Sequence, residues 1–211
     1  MIATSLRPEP PRHTLRSVKL RSLRLAAVAL VLPAIASCSK GGTGAGANTA
    51  ARLATLLIAD LPAGYIQQPD NVGDTGPSDL AKAARDDGKP DAASALTADG
   101  FLAGYQRLWA TRDGSQRIIV YLYDFRTSAG ASAYEKRGIA DDETDPESRA
   151  VPFPVSSIPG ATGLASAQRP TVALVVFTKG SYVVQVVTST ATGSRSLAEQ
   201  LAGRQYGRLS A

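Results

Sequence analysis

The chain has 211 residues, a formal charge of +5, one His, one Cys and one Met. Residues 1–37 carry six basic side chains against the single acid Glu9, so the positive excess resides there and residues 38–211 are balanced. A nucleic-acid partner is therefore not expected, because the basic excess belongs to the N-terminal segment alone.

That segment reads as a leader. Arg7, Arg12, Arg16, Lys19, Arg21 and Arg24 precede the apolar run 25–36. A basic start, a short apolar stretch and small residues at its end make a secretory signal. The run falls short of the roughly 20 residues that span a bilayer. No arginine pair stands before it, so the general secretory route is expected. Ile35, Ala36, Ser37 and Cys38 resemble the lipobox of bacterial lipoproteins. The resemblance implies cleavage before Cys38, a diacylglyceryl group on its sulfur and further acylation by a fatty chain such as palmitate. A buried CH₂ contributes about 0.8 kcal/mol and one acyl chain anchors only marginally, so two or three chains are what would hold the protein on the outer membrane face.

Cleavage also removes His13 and Met1. The remainder then has no imidazole and no free thiol. That excludes Ser-His-Asp and Cys-His catalysis, imidazole-ligated zinc and a structural disulfide. No cofactor is implied.

Residues 38–52 read as the lipidated Cys followed by a flexible Gly/Ala tether, with an r.m.s. reach of about 20 Å. Residues 53–211 read as a single α+β extracytoplasmic domain, long enough for a core of its own. A strand is expected near Tyr65–Gln68. Pro77 suits the first position of a helix carrying Leu80, Ala81 and Ala84 and ending at Gly88. A short helix is expected over 91–98, stopped by Gly100.

Two hairpins dominate. Phe101–Thr111 and Arg117–Phe125 flank the turn signal Asp113-Gly114. That register sets Trp109 against Ile118, Arg107 against Val120 and Tyr105 against Leu122. Apolar groups fall on both faces, so these strands should be central and covered on both sides. Thr127 or Ser128 should cap a helix ending near Gly138. The acidic run Asp141–Glu147 is expected as a loop. Val151–Ile158 should be an edge, because Pro152 and Pro154 cannot donate ladder hydrogen bonds. Val172–Phe177 and Tyr182–Val187 form the second hairpin, with Phe177 expected opposite Tyr182. Ser196-Leu197-Ala198-Glu199 has the pattern of a capping box opening the last helix. The fold class is thus an antiparallel sheet built from two main hairpins with helices packed on it.

Leu61-Pro62-Ala63-Gly64-Tyr65, Gly100-Phe101 and Ile158-Pro159-Gly160-Ala161, together with the lipobox, resemble segments of actinobacterial cell-envelope lipoproteins. The element order is similar to the PsbP-like sandwich found in some of them. The resemblance implies location and fold, and it carries over no catalytic residue.

Two groups of residues invite a functional reading. Tyr105, Arg107 and Trp109 should share a strand face, and a cation beside aromatics can grip an anionic or sugar-bearing ligand. Asp124 and Gln185, which interrupt apolar strands, join that candidate ligand site, as Gln106 interrupts its own strand. The carboxylates of Asp141, Asp142 and Asp145 are weak candidates for calcium, which favours oxygen ligands. The spacing is not that of an EF-hand, and a solvated acidic loop is the plainer reading.

The function expected is that of a non-catalytic lipoprotein on the outer membrane face, binding an envelope component or a partner protein. Two alternatives stand beside it. One is a carboxylate-based, metal-assisted envelope hydrolase using Asp124 or the 141–147 acids, since paired carboxylates work without histidine. The other is an accessory subunit of an envelope complex.

Overall fold

The computed structural model describes residues 45–71, 75–146, 149–169 and 171–209. The leader, Ile35, Ala36, Ser37, Cys38 and the first part of the expected tether lie outside the described residues.

The described chain opens with a helix, α1 (Ala45–Leu56). The tether expected as far as residue 52 is corrected here: residues 45–52 are helical. Ala50, Leu53 and Leu57 recur at helical spacing and all three are buried, which makes α1 part of the domain. Short strands β1 (Tyr65–Gln67) and β2 (Gly76–Ser78) follow. Pro77 therefore sits in an edge strand and not at a helix start. Helix α2 (Leu80–Asp87) begins after Asp79, whose carboxylate accepts from the Lys82 N–H at 2.8 Å, and stops at left-handed Gly88. Helix α3 (Ala92–Ala98) leads into β3 (Phe101–Thr111) and β4 (Arg117–Phe125).

The register of this first hairpin is the one expected, with Trp109 opposite Ile118, Arg107 opposite Val120 and Tyr105 opposite Leu122. Asp113 holds the turn by accepting from Thr111 Oγ1 at 2.6 Å and from the Ser115 N–H at 3.1 Å.

Helix α4 (Ser128–Thr144) is capped by Thr127, whose Oγ1 accepts from the Gly130 N–H at 3.1 Å. It continues past Gly138, a residue that weakens a helix interior by about 1 kcal/mol without breaking it. Residues 141–144 are therefore helix, which corrects the acidic loop. Strand β5 (Ala150–Pro154), paired with β6 (Thr162–Ser166), is an edge as expected but ends at Pro154, four residues short of Ile158.

The last hairpin joins β7 (Val172–Lys179) to β8 (Tyr182–Ser189). Its register differs from the expected one by two residues: Phe177 faces Val184, and Lys179 faces Tyr182. Gly180, at φ 59°, allows a two-residue turn where a longer one had been inferred. A slip of two keeps every side chain on its own face. Helix α5 (Ser194–Arg208) starts two residues before the expected capping box, after left-handed Gly193. Ser196 is thus inside the helix, and its hydroxyl donates to the Gly193 carbonyl at 3.0 Å.

Among the described residues these strands form one antiparallel sheet of eight, ordered β1-β3-β4-β8-β7-β6-β5, with β2 also paired to β3. The α+β class is therefore as read. The two hairpins meet along β4 and β8, at the centre. One face packs Ile118, Val120, Leu122, Val184 and Val186 against α1 and α5. The other packs Ile119, Tyr121, Tyr123 and Val183 against Ala83, Leu96 and Tyr134 of α2, α3 and α4. Alternation along β4 feeds both cores, which is why its sequence is apolar throughout.

Close packing of β3 on β4 depends on Gly104. A Cβ built there would lie 2.4 Å from the Tyr123 ring and 3.1 Å from Ser78 Cβ. Overpacking of this kind costs about 1–3 kcal/mol. Gly104→Ala should lower the urea midpoint accordingly; an unchanged midpoint would show that Tyr123 can move freely.

Candidate functional site

The residues singled out from the sequence do not converge. Residues 105, 107 and 109 of β3 and Asp124 of β4 lie on the face covered by α1 and α5, whereas Gln185 lies on the opposite face, beside Val183 and Val187. The five-residue ligand site is corrected to a four-residue group.

Within that group Trp109 is core, only 2% exposed. Tyr105 is buried and its hydroxyl donates to Asp70; burial first, then this bond, pushes the phenol pKa up. Arg107 is half-buried beneath α1. Its guanidinium stands 5.6 Å from the Tyr105 ring and donates to the Ala54 carbonyl at 3.3 Å. Its Nε is buried without an acceptor.

Asp124 is more firmly held. One carboxylate oxygen accepts from Arg52 of α1 at 2.7 Å and the other from Ser181 Oγ at 3.0 Å. Arg52 also donates to the Tyr182 hydroxyl, and this bond leads the causes that raise its pKa. A carboxylate with both oxygens engaged inside the fold fastens α1 to the sheet.

A tether over residues 38–52 gives Arg52 no role, and the fold does. The spacing of Ala50, Leu53 and Leu57 was the available signal.

The opposite face holds a buried polar network. Lys82 of α2 donates to Gln106 at 2.7 Å and to Asp86 at 3.0 Å. Gln106 donates to Asp86 and to the Tyr123 hydroxyl, the latter at 3.1 Å. Gln106 was visible as a polar break in an apolar strand, but its partners were not. Charged, satisfied networks of this kind fix one arrangement of helix on sheet.

The acids at the end of α4 are likewise committed. Asp141 pairs with Lys89 at 2.7 Å. Burial, then the nearby charges of Asp145 and Asp141, raise the Asp142 pKa to about 7. Among the described residues no three acidic side chains are placed to hold a metal ion, so the weak calcium candidate formed by Asp141, Asp142 and Asp145 is not assembled. Nor do these acids meet Asp124, which faces the other core.

Two open depressions lie along α5. One, of about 500 Å³, is lined by Ser157, Ser196, Glu199, Gln200, Gly203 and Arg204. The other, of about 240 Å³, shares Arg204 and is bordered by Ile58, Ala59, Asp60 and Arg208. Among the described residues no helix is long and apolar enough to cross a membrane.

A family model described as "Domain of unknown function (DUF7373) N-terminal" matches residues 62–209. The chain belongs to the DUF7373 family. The match takes in all eight strands and α2 to α5, while α1 and its Arg52 precede it. In this DUF7373 chain the partners of Arg107 and Asp124 on α1 therefore come from outside the family segment. No curated protein matches the chain. Among solved structures, the chain is similar to the extracellular domain of PknH from Mycobacterium tuberculosis, with a TM-score of 0.46, 12% identity, and coverage of 75% of this chain and 95% of that one.

Proposed function

We propose that this DUF7373 protein is a lipid-anchored, extracytoplasmic binding protein that performs no chemistry of its own. The observation that carries the reading is Cys38, which closes a basic, apolar leader after Ile35-Ala36-Ser37. Six residues separate it from Ala45, the first residue of α1. Fully extended, they reach about 20–25 Å. A domain on so short a lead stands beside the bilayer, positioned to meet an envelope component or a partner protein. The engagement of Asp124 by Arg52 and of Asp141 by Lys89 supports binding over catalysis.

Cys38→Ala tests the anchor. The variant should accumulate as unprocessed precursor or leave the membrane fraction, and intact mass of the native protein should include the acyl chains. A bare Cys38 thiol on membrane-purified material would refute the reading.

A further inference from the structure

We infer that the trough along α5, between Glu199 and Arg204, binds a short zwitterionic peptide. The inference rests on the binding role proposed above and gives that role a site.

The two charges are available. Arg208 donates to the Thr55 carbonyl at 2.9 Å, and Arg195 stands over the Phe153 ring at 5.4 Å. Arg204 is exposed and, among the described residues, makes no hydrogen bond or ion pair; Glu199 likewise makes none. An unpaired guanidinium offers a planar fork to a carboxylate. An unpaired carboxylate accepts an ammonium.

Their placement sets the length of the ligand. Five helical positions separate them, which is about 140° around the axis and about 7.5 Å along it. Both line the same depression, so they flank it from opposite sides. Extended peptide advances about 3.5 Å per residue. A chain of two or three residues therefore brings its amino end to Glu199 and its carboxyl end to Arg204. Gln200 lies between them along the helix, with an amide suited to peptide bonds, and Ser157 and Ser196 complete the lining.

Gly203 forms the floor of the trough. A Cβ there would find only Ser157 Oγ, at 3.9 Å, so packing does not require glycine. Glycine inside a helix is unfavourable relative to alanine. Close approach of a ligand backbone is what a bare floor permits.

The same features exclude other ligands. Glu199 balances Arg204, and Asp60 balances Arg208 at the adjoining depression, so the surface does not attract a polyanion. No aromatic ring lines the larger depression to stack on a sugar.

The test uses the full chain in detergent, titrated with trialanine, with N-acetyl-trialanine amide and with chitotriose. Trialanine should bind, with amide shifts centred on residues 196–204. The blocked peptide should bind at least tenfold more weakly, as should trialanine to Glu199→Gln and Arg204→Gln. Gly203→Ala should keep or raise the unfolding temperature and still lose tenfold in affinity. Equal binding of the blocked peptide, preference for chitotriose, unchanged affinity in the variants, or no trialanine binding at millimolar concentration would each overturn the inference. None of these outcomes depends on Cys38 acylation, so failure here is distinguishable from failure of the anchor.

Discussion

Leu53→Ala should destabilise the protein by about 2–5 kcal/mol, the cost of removing a fully enclosed leucine and leaving a cavity. Leu53 is 0% exposed and packs with Leu57, Trp109 and Leu201 in the core between sheet and helices. It belongs to α1, which the family match leaves out. Arg52→Ala, one position away, should cost far less, about 1 kcal/mol or under, because Arg52 is half exposed and water screens its pair with Asp124. Urea unfolding followed by Trp109 fluorescence reads both, since Trp109 shares the core. If the two variants lose similar small amounts, α1 is a surface appendage held by charge and not a structural layer. The expected contrast makes it a fixed part of the domain, so that a tether on its N-terminal side would act on the whole fold.

Most of the sheet could be read from the sequence, because its strands are long and their turns are marked. Asp113-Gly114 fixed one register, and the apolar run on both faces of β4 required cover on both sides. Gly180 was recognised as a turn, but not that the strands close directly around it. The short strands were not legible. Gly76-Pro77-Ser78 has no strand preference and is ordered by pairing with β3. Thr162-Gly163-Leu164 is likewise held by its neighbours, and Gly163 is glycine because the Phe153 ring would lie 2.3 Å from a Cβ.

The site was less legible for a different reason. Polar residues in apolar strands mark buried interactions, yet the sequence does not say whether the partner is a ligand or another part of the chain. For Asp124 the partner is Arg52, and for Gln106 it is Lys82 with Asp86. Glu199 and Arg204, unpaired among the described residues, sit in a helix whose buried side mixes Ala198, Leu201 and Ala202 with Ser194 and Gln205, and they carry no motif. Only the approach of Ser157, from a loop about 40 residues earlier, makes them the sides of a trough.

Asp142→Asn should raise stability at pH 8 and flatten its dependence on pH. Asp142 is 6% exposed, and burial is the leading reason its pKa rises from 3.8 to about 7, with Asp145, Asp141 and Asp87 adding repulsion and Lys89 opposing it. Below pH 4 the group is neutral both folded and unfolded. Between pH 4 and 7 the folded state keeps a proton that the unfolded state has released. Stability attributable to this group is therefore full in acid and is lost as pH rises through 7. The span corresponds to at most about 4 kcal/mol, and relaxation of the neighbouring acids will reduce it. Because the carboxylates interact, the midpoint belongs to the cluster and not to one residue. Asn keeps the shape and removes the charge, so the parent and the variant should agree at pH 4 and separate steadily towards pH 8, the variant being the more stable. Urea midpoints measured across that range decide it. Parallel curves would mean that Asp142 is already ionised without penalty, and a variant less stable at pH 8 would mean that the interactions Asp142 makes inside the fold outweigh the cost of burying its charge.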